Sequence, residues 1–269
     1  MKKILALPAE LYQNRKLVLS LAKNDFKTKY AGSYLGIVWA FIQPIVTILV
    51  YWFVFSVGLK AGTVSDYPFV LYLVSGIVPW FFFQDALNGG TNALIEYNYL
   101  VKKVVFKISI LPIVKIISAL FVHVFFVAFA LILCACYGYT PSLYTLQIIY
   151  YSVCTFLFVL GLVYATSAIV IFFRDLTQII SILLQIGVWL TPIMWIAETS
   201  LQGNLFLQKL LQFNPMYYVV TGYRDSMLGH IGIWNHASWT IYFWVVTILL
   251  FGLGSVIFKR LKPHFADVL

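Results

Sequence analysis

Charged residues are scarce in this 269-residue chain, which contains 62% hydrophobic residues and only 10% charged ones. About a quarter of the residues in a soluble globular domain are charged, so this composition cannot cover a surface in contact with water. The composition therefore indicates an integral membrane protein. Its net charge of +9 then indicates attraction to anionic membrane lipids, and no nucleic-acid partner is expected.

The chain also lacks the residue patterns of ATP-binding proteins and enzymes. No Gly-x-x-x-x-Gly-Lys-Ser/Thr phosphate loop occurs, which excludes ATP binding by that motif. Cys134, Cys136 and Cys154 lie within apolar runs at spacings that form no metal site, and we interpret them as small apolar fillers. His123 is deep in an apolar run, and we interpret it as hydrogen-bonded packing. We expect no catalytic residue, metal or cofactor in this chain.

Long apolar runs are abundant, and a helix needs about 20 apolar residues to cross the hydrocarbon core of a bilayer. Six runs meet this length and predict an all-α membrane protein with six transmembrane helices. The predicted spans are Leu35–Leu59, Tyr67–Leu87, Ile108–Tyr137, Leu146–Phe173, Leu176–Ala197 and Trp239–Phe258.

The distribution of positive charge predicts the orientation of these spans. Fifteen of the 18 Lys and Arg residues fall on one side of the six-span arrangement, the exceptions being Lys60, Lys209 and Arg224. Lys and Arg are retained on the cytoplasmic side during insertion, so both chain ends are expected there, in a multi-pass protein of the cell membrane. No cleavable signal peptide is recognisable, because the first long apolar run begins near residue 35.

Residues 7–29 are predicted to form an amphipathic helix before the first span. At 100° per residue, Val18 and Ala22 fall on one face while Lys23 and Lys27 fall opposite. Two placements fit this pattern. The helix lies on the membrane with its cations toward the headgroups, or it packs against the cytoplasmic face of the bundle.

The segment 88–107 connects the second and third spans. Gly89-Gly90, followed by polar residues, predicts a break in the helix and then a short amphipathic helix across the cytoplasmic mouth. This segment is either an ordinary loop or a docking element for a soluble partner.

The segment 198–238 precedes the last span and is unusually apolar for an external connection. Asn214-Pro215 is a favourable helix start, with Asn as the cap and Pro in the first turn, and the predicted helix ends near Gly229. Such a segment is expected to dip back into the outer leaflet as a re-entrant element. Irregular backbone at that depth has to be shielded or line a cavity.

Aromatic residues make up 18% of the chain. Tyr30, Tyr34 and Phe41 are spaced to share one helical face near the inner end of the first span. These rings either pack against lipid and helices, or form platforms along which sugar rings slide. The full predicted aromatic path is Tyr30, Tyr34, Trp39, Phe41, Trp80, Phe81 and Phe82.

Five ordered motifs along nearly the whole chain carry a family resemblance. They are Tyr30–Ala40 followed by Gln43-Pro44, then Leu73–Phe83, Asn98–Val104 with Ile110–Pro112, Phe172–Leu176, and Asn214–Met216. This order resembles the permease subunits of type-2 ABC transporters that export polysaccharides. Within that family the chain is most similar to teichoic-acid translocation permeases, and O-antigen export permeases share the same landmarks.

The resemblance implies a homodimer that pairs with two copies of a cytoplasmic ABC ATPase, on which ATP and Mg²⁺ bind. It implies that the ATPase docks on the coupling residues Thr91, Asn92, Glu96, Lys102 and Lys103. It also implies a re-entrant gate at the outer mouth formed by Asn214, Pro215, Tyr217 and Tyr218. A diphosphate-linked substrate would meet entrance cations, for which the candidates are Lys23, Lys27, Lys29 and Arg174.

The expected function is therefore ATP-driven flipping of a polyprenyl-diphosphate-linked polymer, with wall teichoic acid as the first substrate considered. The alternatives are an exporter of O-antigen or another lipid-linked polysaccharide, a drug or lipid exporter of the same family, and a membrane enzyme acting on lipid-linked sugars. The enzyme would need acid–base residues outside the membrane, and Glu198 and Asp225 are few candidates for that role.

Overall fold

A computed structural model describes residues 13–60, 62–64, 67–101 and 107–268, and these residues form a helical bundle. The labelled helices are α1 (Arg15–Thr28), α2 (Gly36–Gly58), α3 (Phe69–Glu96), α4 (Ile108–Cys136), α5 (Leu143–Ile169), α6 (Leu176–Leu190), α7 (Leu205–Gln212), α8 (Pro215–Arg224) and α9 (Ile233–His264). Short helical turns cover Asn98–Val101, Ala197–Ser200 and Phe265–Val268. Strands β1 (Thr63–Val64) and β2 (Tyr67–Pro68) pair antiparallel between α2 and α3.

Helices α2, α3, α4, α5 and α9 are long and apolar enough to cross a membrane, with lengths of 23 to 32 residues. The chain is thus an all-α, multi-pass membrane protein. The fifth apolar helix, α6, has 15 residues and ends at Leu190, so the predicted end of that span at Ala197 is wrong. Thr191 is extended (φ −88°, ψ 122°) because Pro192 follows it, and a residue before proline is pushed out of the helical region.

Helix α3 forms the centre of the bundle, with most of its length buried against α4, α5, α6 and α8. It continues through Gly89-Gly90 to Glu96, so the predicted break at the two glycines is wrong. A Cβ atom on Gly90 would lie 2.6 Å from the methyl carbons of Val163. The missing side chain therefore lets α3 and α5 approach closely, which is a common use of small residues between membrane helices.

A second close approach joins α5 to α9. A Cβ atom on Gly254 would lie 2.3 Å from the backbone oxygen of Gly161, and one on Gly161 would lie 2.9 Å from the backbone nitrogen of Phe251. Backbone thus faces backbone where these two helices cross. Glycine at both positions permits a contact that any side chain would prevent.

Helix α1 packs its apolar face against the beginning of α4. Val18 and Ala22 are buried there with Ile110 and Val114. The predicted amphipathic helix is thus confirmed over Arg15–Thr28, and its apolar face contacts the bundle. Residues 7–12 of the predicted helix lie outside the described residues.

Residues 29–35 form turns between α1 and α2. Gly32 has a positive φ of 93°, a conformation that glycine adopts at little cost and that ends helical backbone. Tyr30 and Tyr34 therefore lie in the turns while Phe41 lies in α2. The prediction that these three rings share one helical face is wrong.

Helix α8 begins and ends as predicted. The Asn214 side-chain oxygen accepts a hydrogen bond from the Met216 backbone N–H at 3.0 Å, and Pro215 occupies the first turn. A π-helical turn, Asp225–Gly229, extends the helix to His230, whose positive φ of 50° ends it. The helix is buried between α3, α5 and α9.

Candidate functional site

One end of the bundle carries most of the described cations, including Lys27, Lys29, Arg174 and Lys259, and is called the basic end. A cavity of about 390 Å³ lies between α2, α3, α4 and α6, and its lining extends from Lys29 at this end to Tyr51 and Val188 deeper in the bundle. This volume falls within the range of about 300–1,000 Å³ that is typical of sites for small molecules.

Five of the seven predicted path aromatics line this cavity. Trp80 and Phe82 are buried in its wall, and the other three lining rings are Tyr30, Trp39 and Phe81. The remaining two rings lie elsewhere. Tyr34 is fully exposed on the turn after α1, and Phe41 packs against Phe125 with ring centroids 4.3 Å apart.

Three glutamines that were not predicted as path residues also line the cavity, each from a different helix: Gln43 from α2, Gln84 from α3 and Gln185 from α6. All three are exposed to the cavity, and none of their side-chain amides has a hydrogen-bond partner within the described part of the chain. An uncharged polar residue within an apolar span was the signal that could have revealed them. The predicted site rested on ionisable and aromatic residues instead.

Lys29 marks the mouth of the cavity on the side of the basic end. Its ammonium group forms an ion pair with Asp85 of α3. Burial lowers the pKa of Lys29, but the Asp85 carboxylate more than offsets this and leaves the pKa raised. Of the four predicted entrance cations, Lys29 alone lines this cavity, while Lys23, Lys27 and Arg174 are exposed elsewhere at the basic end.

A buried ionic cluster near this mouth connects α1 to α3 and α4. The Lys115 ammonium lies 2.6 Å from a carboxylate oxygen of Asp25 and also pairs with Glu96. The Tyr97 hydroxyl donates a hydrogen bond to the same Asp25 oxygen at 2.8 Å. Burial, followed by this contact with Asp25, raises the pKa of Tyr97. Lys115 was interpreted from sequence as a topological charge, whereas its side chain is only 8% exposed.

The predicted coupling residues differ in how far they reach the surface. Thr91 is buried and its hydroxyl lies 2.8 Å from that of Thr166 in α5, while Asn92 accepts a hydrogen bond from Thr177 in α6 at 2.9 Å. The side chains of Thr91 and Asn92 therefore join α3 to α5 and α6. Glu96 is exposed, Lys102 and Lys103 lie outside the described residues, and the coupling role stays a prediction.

His123 lies in the wall of the cavity and connects it to α8. Its Nε2 atom is 2.8 Å from the Tyr223 hydroxyl, and its ring stacks on Phe82 at a centroid distance of 4.6 Å. Ser152 of α5 completes the network, 2.7 Å from the same hydroxyl. The interpretation of His123 as hydrogen-bonded packing is confirmed. Among the described residues, no His, Cys, Asp and Glu group is arranged to hold a metal ion.

The predicted gate residues anchor α8 at the other end of the bundle. The Asn214 amide donates to the Thr191 hydroxyl at 2.8 Å, which fixes the start of α8 beside the end of α6. The buried Tyr218 hydroxyl lies 2.9 Å from that of Thr240 in α9, and the Tyr217 ring packs edge-on against Trp239. All four predicted gate residues thus lie at the start of α8, and these contacts fix that start to the end of α6 and to α9.

Comparison with known proteins agrees with this architecture. The family model of the ABC-2 type transporter matches residues 16–228. An O-antigen export system permease protein of Myxococcus xanthus is 30% identical over 264 residues, which cover 98% of this chain and 99% of that protein. A protein described by the same words from Klebsiella pneumoniae is 23% identical over 254 residues, covering 94% of this chain and 95% of the relative. The chain therefore belongs to the ABC-2 type transporter family of multi-pass cell-membrane permeases.

Proposed function

We propose that this chain is the membrane subunit of an ATP-driven exporter that moves a lipid-linked polysaccharide out of the cytoplasm. The observation that carries the proposal is the cavity between α2, α3, α4 and α6, which is lined by both aromatic rings and unpaired amides. Amides at membrane depth are costly unless they meet polar partners, and aromatic faces suit the apolar faces of sugar rings. The export function named for the Myxococcus xanthus relative supports the same substrate class.

The energy would come from a separate ATPase subunit, because the chain contains no phosphate loop. Two copies of that ATPase, each with ATP and Mg²⁺, would bind a homodimer of this chain. The apolar, mostly exposed surface of α2 supports the homodimer, since it leaves room for a second copy beside the lipid. The basic end would face the cytoplasm, as the positive-inside rule requires.

The relatives favour O-antigen over wall teichoic acid as the model for the polymer. Both polymers are hydroxyl-rich chains carried on a membrane lipid, and the cavity suits either. We therefore propose an O-antigen-like polysaccharide, and keep a teichoic-acid-like polymer as the second candidate on the strength of the sequence motifs.

The proposed mechanism couples the ATPase to the cavity through the buried ionic cluster. ATP binding would move the surface around Glu96 and the adjacent turn Asn98–Val101, and the Lys115–Asp25 contact would pass this movement to α1 and α4. The shift would widen the cavity mouth at Lys29, where the lipid diphosphate meets positive charge. The polymer would then pass toward α8, which acts as the gate at the outer end.

Depletion of the protein in its own host, followed by glycan analysis, tests this function. We expect the surface polysaccharide to disappear and its lipid-linked form to accumulate on the inner face of the membrane. The chemistry of the accumulated polymer then distinguishes O-antigen-like from teichoic-acid-like substrates. Unchanged surface glycans, with short precursors collecting outside, would instead favour a membrane enzyme and contradict the proposal.

A further inference from the structure

The cavity contains more hydrogen-bonding capacity than the protein itself uses. Gln43, Gln84 and Gln185 approach from three helices, at about 10 to 18 Å from the helix ends nearest the basic end, given a rise of 1.5 Å per residue. Amides at this depth are costly unless they meet a polar partner. Three such groups in one cavity therefore indicate a polar occupant.

The aromatic rings that present surface to the cavity are those of Trp39 in α2, which is 43% exposed, and Phe81 in α3, which is partly buried. Trp80 and Phe82 belong to the same lining but are only 2% exposed, so they support the wall and offer a ligand little contact. Aromatic faces suit the apolar faces of sugar rings, so Trp39 and Phe81 beside the glutamines point to a sugar.

The charge in the lining selects a neutral ligand. Lys29 and Asp85 pair with each other at the mouth, and the Nε2 atom of His123 is occupied by Tyr223 and Ser152. Deeper in the cavity, the lining offers amides and aromatic rings. Carboxamides both donate and accept, which matches hydroxyl groups, since each hydroxyl also donates and accepts.

We propose that Gln43, Gln84 and Gln185, with Trp39 and Phe81, form a binding site for one neutral sugar unit of the transported polymer within each protomer. This inference rests on the proposed function and adds the residues that hold the sugar. The amides would hydrogen-bond the ring hydroxyls, and the neighbouring rings would cover the apolar ring face. The site would bind the polymer through its sugar units, whereas the charged mouth of the cavity would bind the lipid diphosphate.

Protection of a cysteine placed in the site tests the proposal. Val188→Cys, at a lining residue that is not one of the proposed sugar ligands, is introduced into the full-length protein. It is combined with Cys136→Ser, because Cys136 is exposed whereas Cys134 and Cys154 are buried. Inside-out vesicles of the host, without ATP, are treated with a maleimide. One set comes from cells that make the lipid-linked polymer, and the other from cells whose glycan synthesis is blocked at the first sugar transfer.

The labelling rate at position 188 is expected to fall at least fivefold when the polymer is present. The matched control is Gln178→Cys, on the same helix but closer to the basic end and outside the cavity lining, whose rate should not change. In parallel, Gln185→Leu should reduce polymer export about tenfold, and Gln178→Leu should leave it unchanged.

The outcomes separate the two proposals. Equal labelling of the Val188→Cys variant with and without polymer, in a host where depletion stops export, would overturn the sugar site and leave the exporter intact. Unchanged surface glycans after depletion would overturn the exporter and the sugar site together. Because each cysteine variant is compared with itself, an effect of the substitution on folding cannot produce the expected protection.

Discussion

Lys115 of α4 forms an ion pair of 2.6 Å with Asp25 of α1, and both side chains are at least nine-tenths buried. The pair joins the helix that precedes the first span to the helix of the third span. Glu96 and Tyr97 at the end of α3 contact the same two residues. Three elements at the basic end are therefore held as one unit, which is why this cluster is central to the proposed coupling.

Removing the cation of this pair should destabilise the protein strongly. Lys115→Met leaves the Asp25 carboxylate buried without its partner, and breaking a buried pair in this way costs about 3–5 kcal/mol. The matched control is Lys29→Met, which breaks the more exposed pair with Asp85 and should cost no more than about 1 kcal/mol. Thermal unfolding of the purified protein in detergent measures both, and equal shifts would contradict the assigned burial.

The contact between α5 and α9 should tolerate no side chain at Gly254. Gly254→Ala places a Cβ atom 2.3 Å from the Gly161 backbone oxygen, and overpacking of this kind costs about 1–3 kcal/mol. Gly252→Ala is the control, because no atom lies within 4 Å of a Cβ atom there. We expect a lower unfolding midpoint for the first variant and an unchanged or higher one for the second. A reversed order would show that the helices cross elsewhere.

The network around His123 should contribute modestly to stability. Tyr223→Phe removes one hydroxyl that lies within hydrogen-bond distance of His123 and Ser152, with an expected loss of about 1 kcal/mol. The loss stays small because His123 and Ser152 remain 3.2 Å apart and can bond each other. Tyr34→Phe, at a fully exposed ring, is the control and should have no effect. Unchanged stability of the Tyr223→Phe variant would contradict this network.

The proposed docking surface for the ATPase should exclude Thr91 and include Tyr99. Tyr99 is 54% exposed on the short turn after α3, whereas Thr91 is buried against Thr166. Tyr99→Glu is expected to reduce severalfold the amount of ATPase subunit that copurifies with the tagged permease. Thr91→Val should retain the ATPase while losing about 1 kcal/mol of stability. If the ATPase subunit failed to copurify with the Thr91→Val variant but still copurified with the Tyr99→Glu variant, the assignment of the two residues would be contradicted.

The sequence predicted most of the helices because spans and helix starts depend on local chemistry. Long apolar runs and the Asn214-Pro215 start are local signals, and the structure has the expected helices at these places. Gly89-Gly90 misled the prediction, since glycine serves both helix breaks and close helix packing. Only the position of Val163, about 70 residues later, decides between these uses.

The candidate site was predicted only in part, because a cavity wall combines residues from distant helices. Trp80 and Phe82 were predicted as path residues from their aromatic character, and both are among the residues that line the cavity. Lys115 and Asp25 were not recognised as partners, since 90 residues of sequence separate them and a cation near a span end is usually a topological signal. Tertiary contacts thus supplied both the ionic cluster and the glutamines.

The most direct test of the central claim is polymer transport in inside-out vesicles from the host, which contain the permease together with the proposed ATPase subunit. Membrane-impermeant periodate oxidises sugar diols that remain outside the vesicles and spares polymer that has moved into the lumen. Addition of ATP is expected to protect the lipid-linked polymer in vesicles that contain the protein, and to give no protection in vesicles from depleted cells. Equal protection in both kinds of vesicle would contradict the assignment of this chain as the exporting permease.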